Sequence, residues 1–224
     1  MDIEAVVFDM DGVLVDSEPM HYASTNEVLS ARGAFLEQSA YDACRGMSES
    51  AFFGLLVKKF SLDEDPERLA HERIRASLNR LASQTLLPME GALDCLLALS
   101  IEGYRLGLAS AARKLQVDLV VDKLGVRRLL GAVVSLDDVA RGKPAPDLFL
   151  EAARQLDCDP ARCLVVEDAV HGVEAAVRAG MAVVALPPKD DDGASHQEAG
   201  ALQCLGSLAE LTPEFLEAWV VASD

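Results

Sequence analysis

Apolar positions along the chain follow two kinds of pattern. Five short runs are almost unbroken: Glu4 to Phe8 (EAVVF), Arg105 to Ala109 (RLGLA), Ala132 to Ser135 (AVVS), Cys163 to Val166 (CLVV) and Ala182 to Leu186 (AVVAL). Continuous rather than alternating apolar residues predict strands covered on both faces, as in a parallel sheet. Between these runs the apolar residues recur at helical spacing. Gly91 to Ser100 places Leu93, Leu96 and Leu97 on one face, and Leu115 to Leu124, Asp147 to Leu156 and Gly172 to Ala179 behave similarly. Strands that alternate with helices predict an α/β fold.

One stretch breaks the alternation. After the first strand no second strand is predicted for almost a hundred residues, and residues 17 to about 84 are helical in pattern. Ser17 is placed to cap a helix that has Pro19 in its first turn and runs towards Gly33. Ser50 to Phe60 is strongly apolar on one side, and Pro66 to Leu81 repeats Leu69, Ile74, Leu78 and Leu81 at about helical spacing. The expected fold class is therefore α/β: a doubly wound (Rossmann-like) parallel sheet core with an inserted α-helical domain. Residues 1–16 and 86–224 form the core and residues 17–85 the insertion. The chain crosses between them twice, near Val15–Pro19 and Gln84–Gly91, which suits a hinge.

Composition narrows the partners. The 224 residues carry 37 acidic and 20 basic side chains, a formal charge of −17. Such a chain does not favour nucleic acid or anionic membrane surfaces. No apolar run approaches the roughly 18 residues of a membrane span, and MDIEAVVF lacks the basic and apolar regions of a signal peptide. The five cysteines are scattered and form no CxxC pair, so reduced thiols and a cytoplasmic setting are expected. A monomer or weak homodimer is the expected assembly. Asp190, Asp191 and Asp192 are expected to be solvated in the loop after the fifth strand.

Candidate chemistry lies at the ends of the strands, where open α/β sheets bind ligands. Asp9-Met10-Asp11-Gly12 follows the first strand and Ser110-Ala111-Ala112 the second. Gly142-Lys143-Pro144 comes after the third, and Glu167-Asp168 after the fourth. Each has an ordinary reading taken singly: Asp9 capping a turn, Ser110 capping a helix, Lys143 solvated, Glu167-Asp168 at a positive helix end. Together they offer carboxylates, a hydroxyl and an ammonium to one edge, the groups that a phosphate and a hard divalent cation use.

In this order, the four segments resemble the haloacid dehalogenase superfamily. Asp9-Met10-Asp11-Gly12-Val13 is similar to its first motif, Ser110 to its second, Lys143 to its third and Glu167-Asp168 to its fourth. The inserted helices resemble its cap domain. DGVLVDSE, GKPAPD and VVEDAVHGVEAAVRAG resemble most the β-phosphoglucomutase-like subgroup of phosphatases and mutases.

The resemblance implies a phosphoric monoester hydrolase acting on a small-molecule phosphate ester, and the presence of Asp11 disfavours halide chemistry. It implies Asp9 as nucleophile, Asp11 as general acid and base, and Ser110 and Lys143 as stabilisers of the phosphoryl group. It implies Mg²⁺ held by Asp9, Asp168 and the main-chain carbonyl of Asp11, with Glu167 nearby or one shell out. Ala111 offers a backbone N–H. In the insertion, Ser17, His21 and Arg45 are candidate substrate contacts. Where mutases of the subgroup carry an arginine for a second phosphate, this chain has Glu49, and Ser110 is followed by AARK. Both departures favour hydrolysis of a sugar monophosphate over a mutase-type phosphotransfer. A receiver-like phospho-acceptor module is the remaining alternative. Its acceptor aspartate would follow a later strand, and it would lack the insertion. His171 is expected to face solvent.

Overall fold

The structure, a computed structural model, describes residues 2–44 and 47–222, the side chains of 219–222 excepted. In chain order the elements are β1 (Ala5–Phe8), α1 (Glu18–Ser30), α2 (Gln38–Asp42), α3 (Glu49–Lys59), α4 (Pro66–Ser83), α5 (Ala92–Ile101), β2 (Arg105–Ala109), α6 (Lys114–Leu124) and β3 (Ala132–Val134). There follow α7 (Asp147–Gln155), β4 (Cys163–Glu167), α8 (Val170–Arg178), β5 (Ala182–Ala185), α9 (Ala194–Glu198), β6 (Gln203–Cys204) and α10 (Pro213–Ala222). The chain divides into two compact units, Met1–Asp16 with Leu86–Asp224, and Ser17–Thr85. Among the described residues no helix is long and apolar enough to cross a membrane.

The first unit is a doubly wound α/β domain. Its strands run in the order β3-β2-β1-β4-β5-β6, every neighbouring pair parallel. The chain builds outward from β1 to β2 and β3, then returns to β1's other side as β4. The reversal of order therefore falls between β1 and β4, where such sheets leave a crevice beyond their carboxyl ends. Residues of β1, β4 and β5 are buried throughout, which explains their continuous apolar runs. Val7, Val165 and Val183 pack with Leu148, Phe149 and Ala152 of α7 and Val173 and Ala176 of α8. Helix α5 packs against β2.

One expectation needs correction here. Helix α5 buries Ala92, Cys95, Leu96 and Leu99 and leaves Leu93 and Leu97 partly exposed, so Leu96 alone of the expected leucines faces the core. Leucines lie on several sides of this helix, and the small residues that allow close packing decide its face. The Asp190–Asp192 triplet is exposed, as expected, and two of its side chains also shape the loop. Asp191 Oδ1 accepts from the Gly193 N–H (2.8 Å) and Asp192 Oδ1 from the Ala194 N–H (3.0 Å), folding the loop into α9.

The second unit is all helical among its described residues. Val28, Leu29, Leu36, Phe53, Leu56 and Leu69 form its core. Asn26 fixes the turn after α1 by bonding Leu36 in both directions, donating to its carbonyl (3.0 Å) and accepting from its N–H (2.8 Å). Asp65 caps α4 by accepting from the Glu67 N–H at 3.1 Å, with Pro66 at the first helical position.

Candidate active site

Strand β1 is tied to β4 through its last peptide: the Asp9 N–H donates to the Val166 carbonyl at 2.9 Å. Asp9 thus leaves the sheet beside Glu167, the final residue of β4. On the other side of β1, the Ser110 N–H donates to the Val134 carbonyl at 3.0 Å, so the hydroxyl starts from the end of β2. Ser110 is buried, and its Oγ accepts from the Ala112 N–H at 3.1 Å, leaving its own proton for another acceptor. Ala111 is exposed.

Lys143 joins the loops. It comes from the segment before α7, yet its side chain is only 2 % exposed. Its Nζ lies 2.5 Å from Asp9 Oδ1 and 2.5 Å from Glu167 Oε1, and 5.0 Å from the ring centre of Phe149. One ammonium therefore spans carboxylates 134 and 24 residues away in sequence. Glu167 is used at both ends: Oε2 accepts from the Ala169 N–H at 2.8 Å. This makes Glu167 a bracket for the lysine and for the turn into α8.

Electrostatics follow from packing four acids around one cation. Burial pushes the Asp9 carboxyl up to about 7; the Lys143 charge opposes this, and the Glu167 and Asp11 charges add to it. Burial, then the Glu167 and Asp9 charges, hold the Asp168 carboxyl well above the usual range. Burial works against the Lys143 ammonium, but Asp9 and Glu167 outweigh it and raise its pKa above the ordinary lysine value. The cluster thus carries more negative charge than its one lysine balances.

A divalent cation fits this chemistry. Asp9, Glu167 and Asp168 each offer a carboxylate oxygen, all within 4.8 Å of one another. An all-oxygen donor set suits a hard ion such as Mg²⁺ and not a thiophilic one. The backbone is shaped around these acids. A Cβ on Gly12 would overlap the Asp168 carboxylate, and one on Gly172 would overlap the Glu167 carboxylate. Gly12 also has φ +78, a conformation that L side chains rarely adopt. Gly12→Ala is therefore expected to displace Asp168 and to lower kcat/KM by about a hundredfold, the scale of an ångström-sized misplacement. Steady-state kinetics with p-nitrophenyl phosphate check this; near wild-type activity would show that the close approach is dispensable.

Asp11 sits two residues after Asp9. Its Oδ1 is buried and has no hydrogen-bond partner among the described residues. A carboxylate oxygen so placed, unclaimed by a structural bond, suits proton exchange.

The helical unit carries the other predicted contacts. Ser17 stands at the N-cap position of α1, but its side chain makes no capping bond, which corrects the expectation of a capping serine. Its carbonyl accepts from the His21 N–H at 3.0 Å. His21 lines a cavity of about 170 Å³ within this unit, together with Glu18, Tyr41, Glu49, Phe52 and Arg73. Arg73 is buried; it donates to His21 Nδ1 (2.7 Å) and pairs with Glu49. Arg45 lies outside the described residues. His171 is exposed, as expected.

Sequence reasoning missed three contributors: Phe149 beneath Lys143, Gly172 beside Glu167, and Arg73 as the partner of Glu49. The fixed spacing of GKPAPDLF and VVEDAVHG contained the first two, but only packing reveals their contacts.

Comparison with known proteins agrees with this fold. A family model described as haloacid dehalogenase-like hydrolase matches residues 6–186. The β-phosphoglucomutase of Bacillus subtilis is 30% identical over 227 residues, covering 97% of this chain and 96% of that protein. The fructose-1-phosphate phosphatase YqaB of Escherichia coli is 33% identical over 181 residues, covering 80% of this chain and 94% of that protein. Among solved structures, CbbY from Rhodobacter sphaeroides in complex with phosphate superposes with a TM-score of 0.76 at 25% identity, covering 93% of this chain and 96% of that one. The family match takes in all four strand-end segments that build the acid and lysine cluster, and the chain accordingly belongs to the haloacid dehalogenase-like hydrolases, in their β-phosphoglucomutase-like subgroup.

Proposed function

We propose that the chain is a Mg²⁺-dependent phosphatase that hydrolyses a small phosphorylated metabolite, a sugar phosphate, with the phosphoryl group carried in transit on Asp9. The observation that supports this most is the Lys143 ammonium held 2.5 Å from both Asp9 and Glu167, because it joins residues of three separate chain segments at one edge.

In the first half-reaction an Asp9 carboxylate oxygen attacks phosphorus. The new P–O bond forms as the bond to the leaving alcohol breaks, and Asp11 gives that alcohol oxygen its proton. In the second half, Asp11 takes a proton from water, the water oxygen attacks phosphorus, and Asp9 leaves as a carboxylate. Ser110 donates its hydroxyl proton to a phosphoryl oxygen, and Lys143 balances charge where Asp9 meets the phosphoryl group. Asp9, Asp168 and the Asp11 carbonyl would hold Mg²⁺, which when bound supplies the positive charge that lets an anionic nucleophile approach an anionic phosphate.

The helical unit is assigned the cap role, with His21, Ser17 and Arg45 as substrate contacts. Within its described residues Arg73 is already paired with Glu49, and Glu18 adds a further carboxylate to the same cavity. Acids in that position disfavour a second phosphate and favour a monophosphate with a hydroxylated body. The relative that acts on fructose 1-phosphate fits this choice. The likeness to a β-phosphoglucomutase keeps one second reading, in which a sugar hydroxyl replaces water as acceptor. A cytoplasmic setting belongs to the same proposal.

The test is phosphate release from a panel of sugar monophosphates, with Mg²⁺ and with EDTA. Release is expected with Mg²⁺ and is expected to vanish in EDTA. Glucose phosphates should be hydrolysed without isomerisation. Undiminished turnover in EDTA contradicts the metal, and isomerisation without phosphate release favours the mutase reading. Saturating Mg²⁺ should also raise the melting temperature; a hundredfold excess over Kd corresponds to about 2.7 kcal/mol.

A further inference from the structure

Helix α9 brings a histidine to the back of the acid cluster. His196 is 2 % exposed, and its Nε2 lies 2.7 Å from the main-chain carbonyl oxygen of Asp168. A carbonyl only accepts, so Nε2 carries a proton and donates it to Asp168. Its Nδ1 is buried with no hydrogen-bond partner among the described residues. A leucine would fill this space without burying an unpaired nitrogen. What the imidazole adds is the bond to Asp168.

That bond completes a pair. The preceding carbonyl, of Glu167, accepts from the Leu186 N–H at 2.7 Å, at the end of β5. Two successive carbonyls of the Glu167-Asp168 turn are thus held by the segment that follows β5. With both peptide planes fixed, the Asp168 carboxylate is aimed at the space beside Asp9 and Gly12 rather than left to rotate with its loop. The Asp191 and Asp192 turns that fold the loop into α9 place the imidazole for this task.

We propose that His196 is a positioning residue that acts through the Asp168 main chain to hold the cation-binding carboxylate in place. The inference rests on the metal reading given above, and concerns a residue that touches neither substrate nor ion. Outer partners of this kind change metal affinity by about tenfold or more when removed.

The experiment compares Mn²⁺ binding by isothermal titration calorimetry in the full chain, for wild type, His196→Leu and His196→Gln. Leucine keeps the apolar volume and lacks the donor; the glutamine amide reaches the place of Nε2–H. Affinity is expected to fall about tenfold or more in His196→Leu and to return to within about threefold of wild type in His196→Gln. A merely structural role predicts the reverse order, with leucine at least as good as glutamine. Equal affinity in wild type and His196→Leu, or no recovery with glutamine, overturns the proposal. Failure of the wild type to bind Mn²⁺ at all would contradict the metal reading instead. The tie itself is then read separately in metal-free wild type, which also serves if His196→Leu does not fold. Imidazole ¹⁵N shifts should show a proton on Nε2 that exchanges slowly with solvent. A ring protonated on Nδ1 alone overturns the proposal.

Discussion

Replacing Asp9 with asparagine is expected to lower turnover at least about a thousandfold, to the limit of detection, while the protein stays folded. The amide has nearly the shape of the carboxyl but no charged oxygen with which to attack phosphorus. Folding should survive because burial already disfavours the charged form of Asp9, pushing its carboxyl up to about 7. Removing that charge relieves repulsion from Glu167 and Asp11 and gives up an ion pair with Lys143, so the two changes oppose each other. The melting temperature is expected at or above that of metal-free wild type. Phosphate release and thermal unfolding, measured on one preparation, separate lost chemistry from lost structure. A variant that retained a tenth of wild-type turnover would remove Asp9 from the role of nucleophile.

The second large effect belongs to Lys143→Met, and it should appear in both activity and stability. Methionine keeps the apolar stem against Phe149 but removes the ammonium between Asp9 and Glu167. Loss of one such charge-stabilising group costs about a hundred- to a thousandfold in kcat. Breaking a buried ion pair by removing one partner costs about 3–5 kcal/mol, because the remaining charges stay buried. The pH dependence has a definite sign. Without the ammonium, the folded-state pKa of Asp9, already raised to about 7, rises further above its unfolded value. The native state then takes up protons more readily than the unfolded chain, so the variant recovers stability as the pH falls. The gap from wild type should be widest near about pH 8 and narrow towards about pH 5. Urea unfolding across that range measures it. A gap that stays constant, or widens on acidification, would show that Lys143 is not offsetting buried negative charge.

Much of the architecture could be read from the chain before any coordinates. The strands β1, β2, β4 and β5 are buried on both faces, so hydrophobic runs mark them without ambiguity. Strand β6 is two residues, Gln203–Cys204, with neither length nor apolar pattern to announce it. Helix α2 is five residues with none buried, too short for a period to register. The acids and the lysine were legible for a related reason: a charged residue at the end of a buried strand is conspicuous. Their partners were not. His196 lies 28 residues from Asp168, on the five-residue helix α9, too short for a periodic signal, and its importance rests on one bond to a main-chain carbonyl. Arg73 meets Glu49 across 24 residues, from one helix to another, so the neutralisation of that arginine emerges only from packing. Spacing in a sequence marks which residues leave the same strand end; it does not say which side chains claim one another once there.

The account stands on Asp9 as the atom that receives the phosphoryl group. The direct measurement is acid quench of the Mg²⁺-supported reaction with p-nitrophenyl phosphate, whose leaving group needs no proton, in the Asp11→Asn variant to slow the second step, followed by borohydride reduction and peptide mass spectrometry. Reduction of an acyl phosphate converts the aspartate that carried it to homoserine, and the account predicts homoserine at position 9. Turnover with Asp9 recovered unmodified, or with homoserine at another aspartate, would contradict it.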